Sequence, residues 1–97
     1  MEVSRVTRRG QSVSFDCPGC GWTHVLNTDS AQRPVWSFNG DVDRPTISPS
    51  INAWREWGPE RKTQRCHSFV ENGRIRFLPD STHQLAGQTI DLPEIEA

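Results

Sequence analysis

The sequence lacks the features that mark membrane proteins, secreted disulfide-rich proteins and general nucleic-acid binders. No stretch approaches the ~18 consecutive apolar residues of a transmembrane helix, and the N-terminal segment has no apolar core of a signal peptide. The 97 residues carry 11 Lys+Arg against 12 Asp+Glu, a formal net charge of -1, so no overall positive field attracts a polyanion. We therefore expect a cytoplasmic protein with no membrane contact, for which nucleic acid is a disfavoured partner.

Cysteine is scarce and odd in number. Three cysteines cannot form a closed disulfide framework, and in a reducing compartment a Cys-x-x-Cys pair serves metal binding or redox chemistry instead. A chain of 97 residues that is 33% apolar has a thin core, and domains of this size often recruit a metal. These two observations favour a structural zinc ion.

Alternating apolar and polar residues predict a mainly β fold, a small zinc-stabilised antiparallel domain built from hairpins with little helix. Val13 and Phe15 alternate in a strand that ends at Cys17, and a second short β-prone run follows Gly21. The clearest pattern is a hairpin over 67–78 with its turn at 71–73. Extended segments are also expected over 34–38 and 44–51, and a short last strand within 84–93.

The domain organisation predicted from these patterns is a single zinc-binding β domain over 1–97. The ends, 1–10 and 94–97, are expected to fray. The segment 54–65 is polar and has no helical period, so it is predicted to be a mobile loop.

The residues that carry chemistry are the three cysteines and the histidines. Cys17-Pro18-Gly19-Cys20 is a good zinc knuckle, because the Pro-Gly turn directs both sulfurs to one ion and β-prone residues follow it, unlike the helix of a redox pair. Cys66 is the only other cysteine and is the expected third ligand. The spacing leaves the fourth ligand open among His67, His83 and His24. His67 is adjacent to Cys66, so in a regular strand the two would point to opposite faces.

Seven motifs follow one another along the chain: Cys17-Pro18-Gly19-Cys20, Trp36-Ser37-Phe38-Asn39-Gly40, Arg44-Pro45-Thr46, Pro49-Ser50-Ile51, Cys66-His67-Ser68-Phe69-Val70, Gly73-Arg74-Ile75 and Asp80-Ser81-Thr82-His83-Gln84-Leu85-Ala86-Gly87-Gln88-Thr89. Together they resemble a family of small uncharacterised bacteriophage and prophage proteins, a domain of unknown function often labelled ammonia monooxygenase. The label does not fit, because a membrane copper oxygenase needs transmembrane helices. The resemblance implies zinc binding by Cys17, Cys20, Cys66 and His67, and so favours His67 over the alternative His83.

The function expected from these observations is that of a non-catalytic, zinc-stabilised phage protein in the host bacterial cytoplasm. It would bind a protein partner through Trp54 and Trp57, with modulation of a host defence or regulatory protein as one case. One alternative is a zinc-dependent hydrolase with Asp80 or Asp41 as general base. The second alternative is single-stranded nucleic-acid binding, with tryptophan stacking and the cations Arg55, Arg61, Lys62 and Arg65.

Overall fold

The computed structural model describes residues 4–95, apart from the side chain of Trp57, and this part of the chain is built from β-strands without a helix. The prediction of a small antiparallel β fold is therefore confirmed. No helix that could span a membrane occurs within 4–95. The eight strands are β1 (Thr7–Arg9), β2 (Ser12–Asp16), β3 (Thr23–Asn27), β4 (Ser37–Phe38), β5 (Ile47–Trp57), β6 (Lys62–Glu71), β7 (Arg74–Phe77) and β8 (Thr89–Asp91).

The strands form two antiparallel sheets, one with the order β1-β2-β3 and one with the order β4-β5-β6-β7-β8. Alternation explains the core, because every second residue of the central strands is buried. The buried apolar side chains of both sheets belong to one cluster, which includes Val13, Phe15 and Leu26 from the first sheet and Ile51, Val70 and Phe77 from the second. The opposite face of β6 carries Arg65, His67 and Phe69 and lies outside this core.

The two hairpins predicted from the sequence are present. β2 and β3 pair on either side of the Cys17 to Cys20 knuckle, and Gly21 follows with a φ of 77°. β6 and β7 pair around Asn72 and Gly73, which have φ values of 51° and 80°. Asn and Gly tolerate this left-handed conformation better than other residues, which is why the turn was readable from the sequence.

The structure differs from the prediction of a loop over 54–65. These residues form the outer half of the β5–β6 hairpin, with a turn of four residues between Trp57 and Lys62. Sequence patterning missed the strands because most side chains here are exposed on both faces, so no apolar alternation marks them.

The predicted terminal fraying also differs from the structure within the described residues. β1 lies inside 1–10 and pairs with β2, while Val6 is buried in the core. Near the other end the backbone N–H of Ile95 donates to the carbonyl of Ser4 at 2.8 Å. The predicted strand over 34–38 is reduced to the two residues of β4.

Candidate active site and metal centre

Three polar side chains from distant parts of the chain meet on the outer face of the second sheet. The Oγ atom of Ser50 lies 3.2 Å from Nε2 of His67, although 17 residues separate them in sequence. On the other side of the imidazole, Nδ1 lies 3.0 Å from Oδ2 and 3.2 Å from Oδ1 of Asp80. The imidazole thus bridges a hydroxyl and a carboxylate.

The hydrogen-bond chemistry of the three groups fixes the direction of the bridge. An ionised carboxylate only accepts hydrogen bonds, so Nδ1 of His67 carries the proton and donates it to Asp80. In the neutral imidazole Nε2 is then the acceptor, and the hydroxyl of Ser50 donates to it. This is the arrangement in which a histidine removes a proton from a serine hydroxyl while a carboxylate orients the ring.

A bulge in β5 places Ser50 beside His67. Ile47 pairs with Val70 and Ile51 pairs with Ser68, so the three residues 48–50 oppose the single residue Phe69. Bulges of this kind bend a strand and re-aim a side chain, and they recur next to active sites. The indole Nε1 of Trp36 donates to the carbonyl of Ser50 at 3.4 Å and holds the bulged backbone from the other side.

The segment after β7 places Asp80 beside His67 because its next residues bind the backbone of β6. The hydroxyl of Ser81 accepts from the N–H of His67 and donates to the carbonyl of the same residue, both at 3.0 Å. The hydroxyl of Thr82 accepts from the N–H of Arg65 at 2.9 Å. The side chain of Arg65 also lies 3.8 Å from the Asp80 carboxylate. The position of Asp80 is thus set by bonds along β6.

A second cluster lies on the core face of β6. Cys17, Cys20, His24 and Cys66 each offer a ligand atom, and these four atoms lie within 4.8 Å of one another. The sulfurs of Cys17 and Cys66 are 3.6 Å apart, and Sγ of Cys20 is 3.5 Å from Nε2 of His24. In a tetrahedral zinc site the ligand atoms stand roughly 3.5–3.8 Å apart, as follows from Zn–S and Zn–N bonds of about 2.3 and 2.0 Å. The four residues are therefore close enough to bind a metal ion, and three sulfurs with one imidazole suit zinc.

His83 lies beside this cluster but is held as a hydrogen-bond donor. The backbone N–H of Leu85 donates to Nδ1 of His83 at 3.2 Å, which leaves the proton of the neutral ring on Nε2. That Nε2 lies 3.5 Å from Sγ of Cys66 and donates to it. The ring also packs so closely on Gly19 that a Cβ there would come within 2.5 Å of it.

Without a metal ion, the ionisation of the crowded thiols is uneven. Hydrogen bonds from Cys20 and Cys66 lower the pKa of Cys17, whereas Cys17, Cys20 and burial raise the pKa of Cys66. Burial lowers the pKa of His24, but its hydrogen bonds to Cys17 and Cys20 outweigh burial and raise that pKa to about 9. Three thiolates this close repel one another unless a cation stands between them, which is the environment a divalent metal ion stabilises.

The structure separates the predicted zinc ligands into two groups. Cys17, Cys20 and Cys66 lie together, whereas His67 lies on the opposite face of the sheet with both ring nitrogens bonded to Ser50 and Asp80. The reason is the alternation of side chains along β6, which turns neighbouring residues to opposite faces. His24 joins the cysteines instead, because β3 places it next to the knuckle.

The structure describes the side chain of one of the two predicted partner-binding residues. Trp54 is 60% exposed on β5, and the side chain of Trp57 lies outside the described residues.

A shallow cavity of about 320 Å³ lies on the outer face of the second sheet. Phe69, one of the residues that line this cavity, lies two residues beyond His67 on the same face of β6. The residues that line it are Phe69, Glu71, Asn72, Arg74, Arg76 and Thr89.

Sequence reasoning gave Ser50 no functional role and considered Asp80 only as the general base of a zinc hydrolase. Serine and aspartate are common in turns, so neither stands out by type. Weak signals existed for Ser50 and for His67, but none for Asp80. Ser50 follows two prolines in a segment that must leave regular strand geometry, and the opposite-face argument freed His67 from Cys66.

The fold and the site define a small all-β protein that carries the Ser, His and Asp constellation of serine hydrolases. The family model described as "Bacterial ubiquitination-like system serine protease (BubE)" matches residues 1–78, and the chain belongs to this family. The match includes Ser50 and His67, and Asp80 follows it by two residues. No curated protein and no solved structure is significantly similar to the chain.

Membership of this family corrects the functional prediction. A non-catalytic phage module was expected, but a family of serine proteases points to a hydrolase-related role, so that prediction is wrong. The resemblance to an uncharacterised family of small proteins is replaced by the named family. Neither the family nor the structure carries evidence of a phage origin.

Proposed function

We propose that this protein is a serine protease of a bacterial ubiquitination-like system, with Ser50 as nucleophile, His67 as general base and acid, and Asp80 as the residue that orients His67. The observation that carries the proposal is the continuous contact from the Ser50 hydroxyl through the imidazole to the Asp80 carboxylate. The description of the family supports the reaction type and the system.

In the first half of the reaction, Oγ of Ser50 attacks the carbonyl carbon of the scissile peptide bond. Nε2 of His67 takes the hydroxyl proton and the negative charge moves to the carbonyl oxygen. His67 then gives that proton to the nitrogen of the leaving group, the C–N bond breaks, and the new amine departs. The acyl group remains on Ser50 as an ester. Asp80 accepts from Nδ1 throughout and stabilises the charged imidazolium.

In the second half, water takes the place of the amine. Nε2 of His67 removes a proton from the water, whose oxygen attacks the ester carbon. The proton passes to Oγ of Ser50 as the ester bond breaks, which releases a carboxylic acid and restores the hydroxyl. The site lies on an exposed sheet face rather than in a deep cavity, which suits a polypeptide substrate that runs across the face and the cavity at Phe69.

The cluster of Cys17, Cys20, His24 and Cys66 would hold a structural zinc ion. Four protein ligands would close the coordination sphere, so the ion would supply folding free energy to a thin core and no open position for water. The hydrogen bond from His83 to Cys66 would orient that ligand, as outer-shell donors do in metal sites.

Peptide hydrolysis by matched serine variants tests the proposal. Ser50→Ala removes the proposed nucleophile, while Ser48→Ala removes an exposed hydroxyl from the same strand. Each protein is incubated with a peptide library prepared from a digested bacterial proteome, and mass spectrometry detects new C-termini. We expect cleavage by the wild type and Ser48→Ala but not by Ser50→Ala. Undiminished cleavage by Ser50→Ala would contradict the proposal.

A further inference from the structure

We infer that Asn52 is a catalytic residue whose side-chain amide donates a hydrogen bond to the negatively charged oxygen formed when Ser50 attacks a carbonyl. This inference rests on the proposed function, because it names the group that would stabilise the intermediate of that reaction. A serine protease needs such donors because they stabilise the negatively charged intermediate. Removal of a single donor lowers kcat by about 10²- to 10³-fold.

The register of the second sheet places Asn52 beside both reacting groups. Asn52 is the direct partner of His67 across the β5–β6 pair. Directly paired residues share a face, so the side chain of Asn52 lies on the outer face with His67. The burial pattern agrees, since Ile51 is buried and Asn52 is exposed. Ser50 reaches the same face through its contact with Nε2 of His67.

The backbone bonds of His67 show which kind of pair this is. Its N–H donates to Ser81 and its carbonyl accepts from Leu78, so both groups point away from β5. Asn52 and His67 are therefore a non-hydrogen-bonded pair, the kind in which the two Cα atoms are closest, at about 4.5 Å. The amide of Asn52 thus lies directly across the sheet from the imidazole.

The amide is also available to a substrate. Asn52 is exposed, and its side chain has no hydrogen-bond partner within residues 4–95. Arg65 is another donor on this face, but its guanidinium lies 3.8 Å from the carboxylate of Asp80, which contacts the opposite ring nitrogen of His67 from Ser50. Among the side chains of β5 and β6 on this face, Asn52 is the neutral amide beside Ser50.

Four variants and one small probe separate a catalytic amide from a structural one. Hydrolysis of p-nitrophenyl acetate is followed at steady state for the wild type, Ser50→Ala, Asn52→Ala and Asn52→Asp, with Glu56→Ala as a control on the same strand and face. Asn52→Asp keeps the size of the side chain but replaces the amide donor by an acceptor, so a merely structural role would survive it. Thermal melting checks that each variant is folded.

We expect both Asn52 variants to lose about 10²-fold or more in kcat with KM changed by less than about threefold, and Glu56→Ala to match the wild type. A loss confined to KM, or kcat within threefold of the wild type in Asn52→Asp while Ser50→Ala is inactive, would overturn the inference. If Ser50→Ala retains the activity, the proposed function fails, and the inference about Asn52 fails with it.

Discussion

Cys66 and His67 are adjacent in sequence but lie on opposite faces of β6. Cys66 belongs to the cluster with Cys17, Cys20 and His24, and His67 lies beside Ser50. The segment after β7 repeats this division, since Asp80 contacts His67 and His83 contacts Cys66. One strand and one connecting segment therefore contribute residues to both sites. A change in the cluster of Cys17, Cys20, His24 and Cys66 is therefore expected to disturb the proposed catalytic residues through the backbone of β6.

Removal of the proposed metal ion should abolish hydrolysis even though none of its proposed ligands is one of the proposed catalytic residues. Without the ion, no coordination bonds tie Cys66 to Cys17, Cys20 and His24, so β6 loses a support at the residue that directly precedes His67. The test is ester hydrolysis before and after chelation, with metal content measured on the same samples, followed by addition of zinc. Full activity in a sample verified to be metal-free would show that hydrolysis does not depend on the metal ion and would contradict this prediction.

His67→Gln should retain the metal and lose activity. The imidazole contacts Ser50 and Asp80 and takes no part in the cysteine cluster, so elemental analysis should give the metal content of the wild type. Loss of the general base should lower kcat by roughly 10⁴-fold or more. Loss of the metal with retained activity would restore His67 as a ligand, as the sequence alone had suggested.

The hairpins and the grouping of the three cysteines could be predicted from the sequence. The signals that indicate the hairpin turns and the knuckle are local. The Asn72-Gly73 turn and the Pro18-Gly19 turn each require particular residues at fixed positions. The proposed fourth ligand, His24, could not be chosen from the sequence in this way. It depends on β3 folding back beside the knuckle to bring His24 to Cys20, and spacing alone does not contain that information.

His24 and His83 should respond differently to substitution. His24→Ala removes a proposed ligand and should lose the metal, with a drop in stability of roughly 3 kcal/mol or more. For a chain of this size that corresponds to a fall in Tm of about 12 °C or more. His83→Gln removes a hydrogen bond to Cys66 and should retain the metal with a weaker affinity. Metal content and thermal melting of both variants check this, and the reverse pattern would make His83 the ligand.

Asp80→Asn should lower kcat by about 10⁴-fold while leaving the fold intact. A neutral amide can donate to Nδ1 of His67, which would put the ring proton on Nε2 and stop it from accepting from Ser50. Arg65→Gln is the matched control, because it removes a partly exposed ion pair with Asp80 and leaves the imidazole contact in place. Steady-state kinetics of both variants test this prediction. Equal losses of kcat in the two variants would assign Asp80 a role in the ion pair with Arg65 alone.

The proposed catalytic residues could not be predicted from the sequence for a physical reason. Ser50, His67 and Asp80 come from a bulge, a strand and a connecting segment, and only the three-dimensional register brings them together. A bulge has no residue signature as strong as that of a tight turn, so the position of Ser50 could not be derived. The alternation along β6 did predict that Cys66 and His67 face apart, and this was the correct reason to doubt His67 as a ligand.

The most direct test of the triad is the site at which a fluorophosphonate probe reacts. Such probes form a covalent bond with a serine oxygen that an adjacent base has activated, so the mass of the labelled peptide identifies the nucleophile. The account predicts one label per chain on Ser50, lost in Ser50→Ala and strongly slowed in His67→Gln. Labelling of another residue, or no labelling of a folded protein that hydrolyses esters, would contradict the assignment of Ser50, His67 and Asp80 as the catalytic residues.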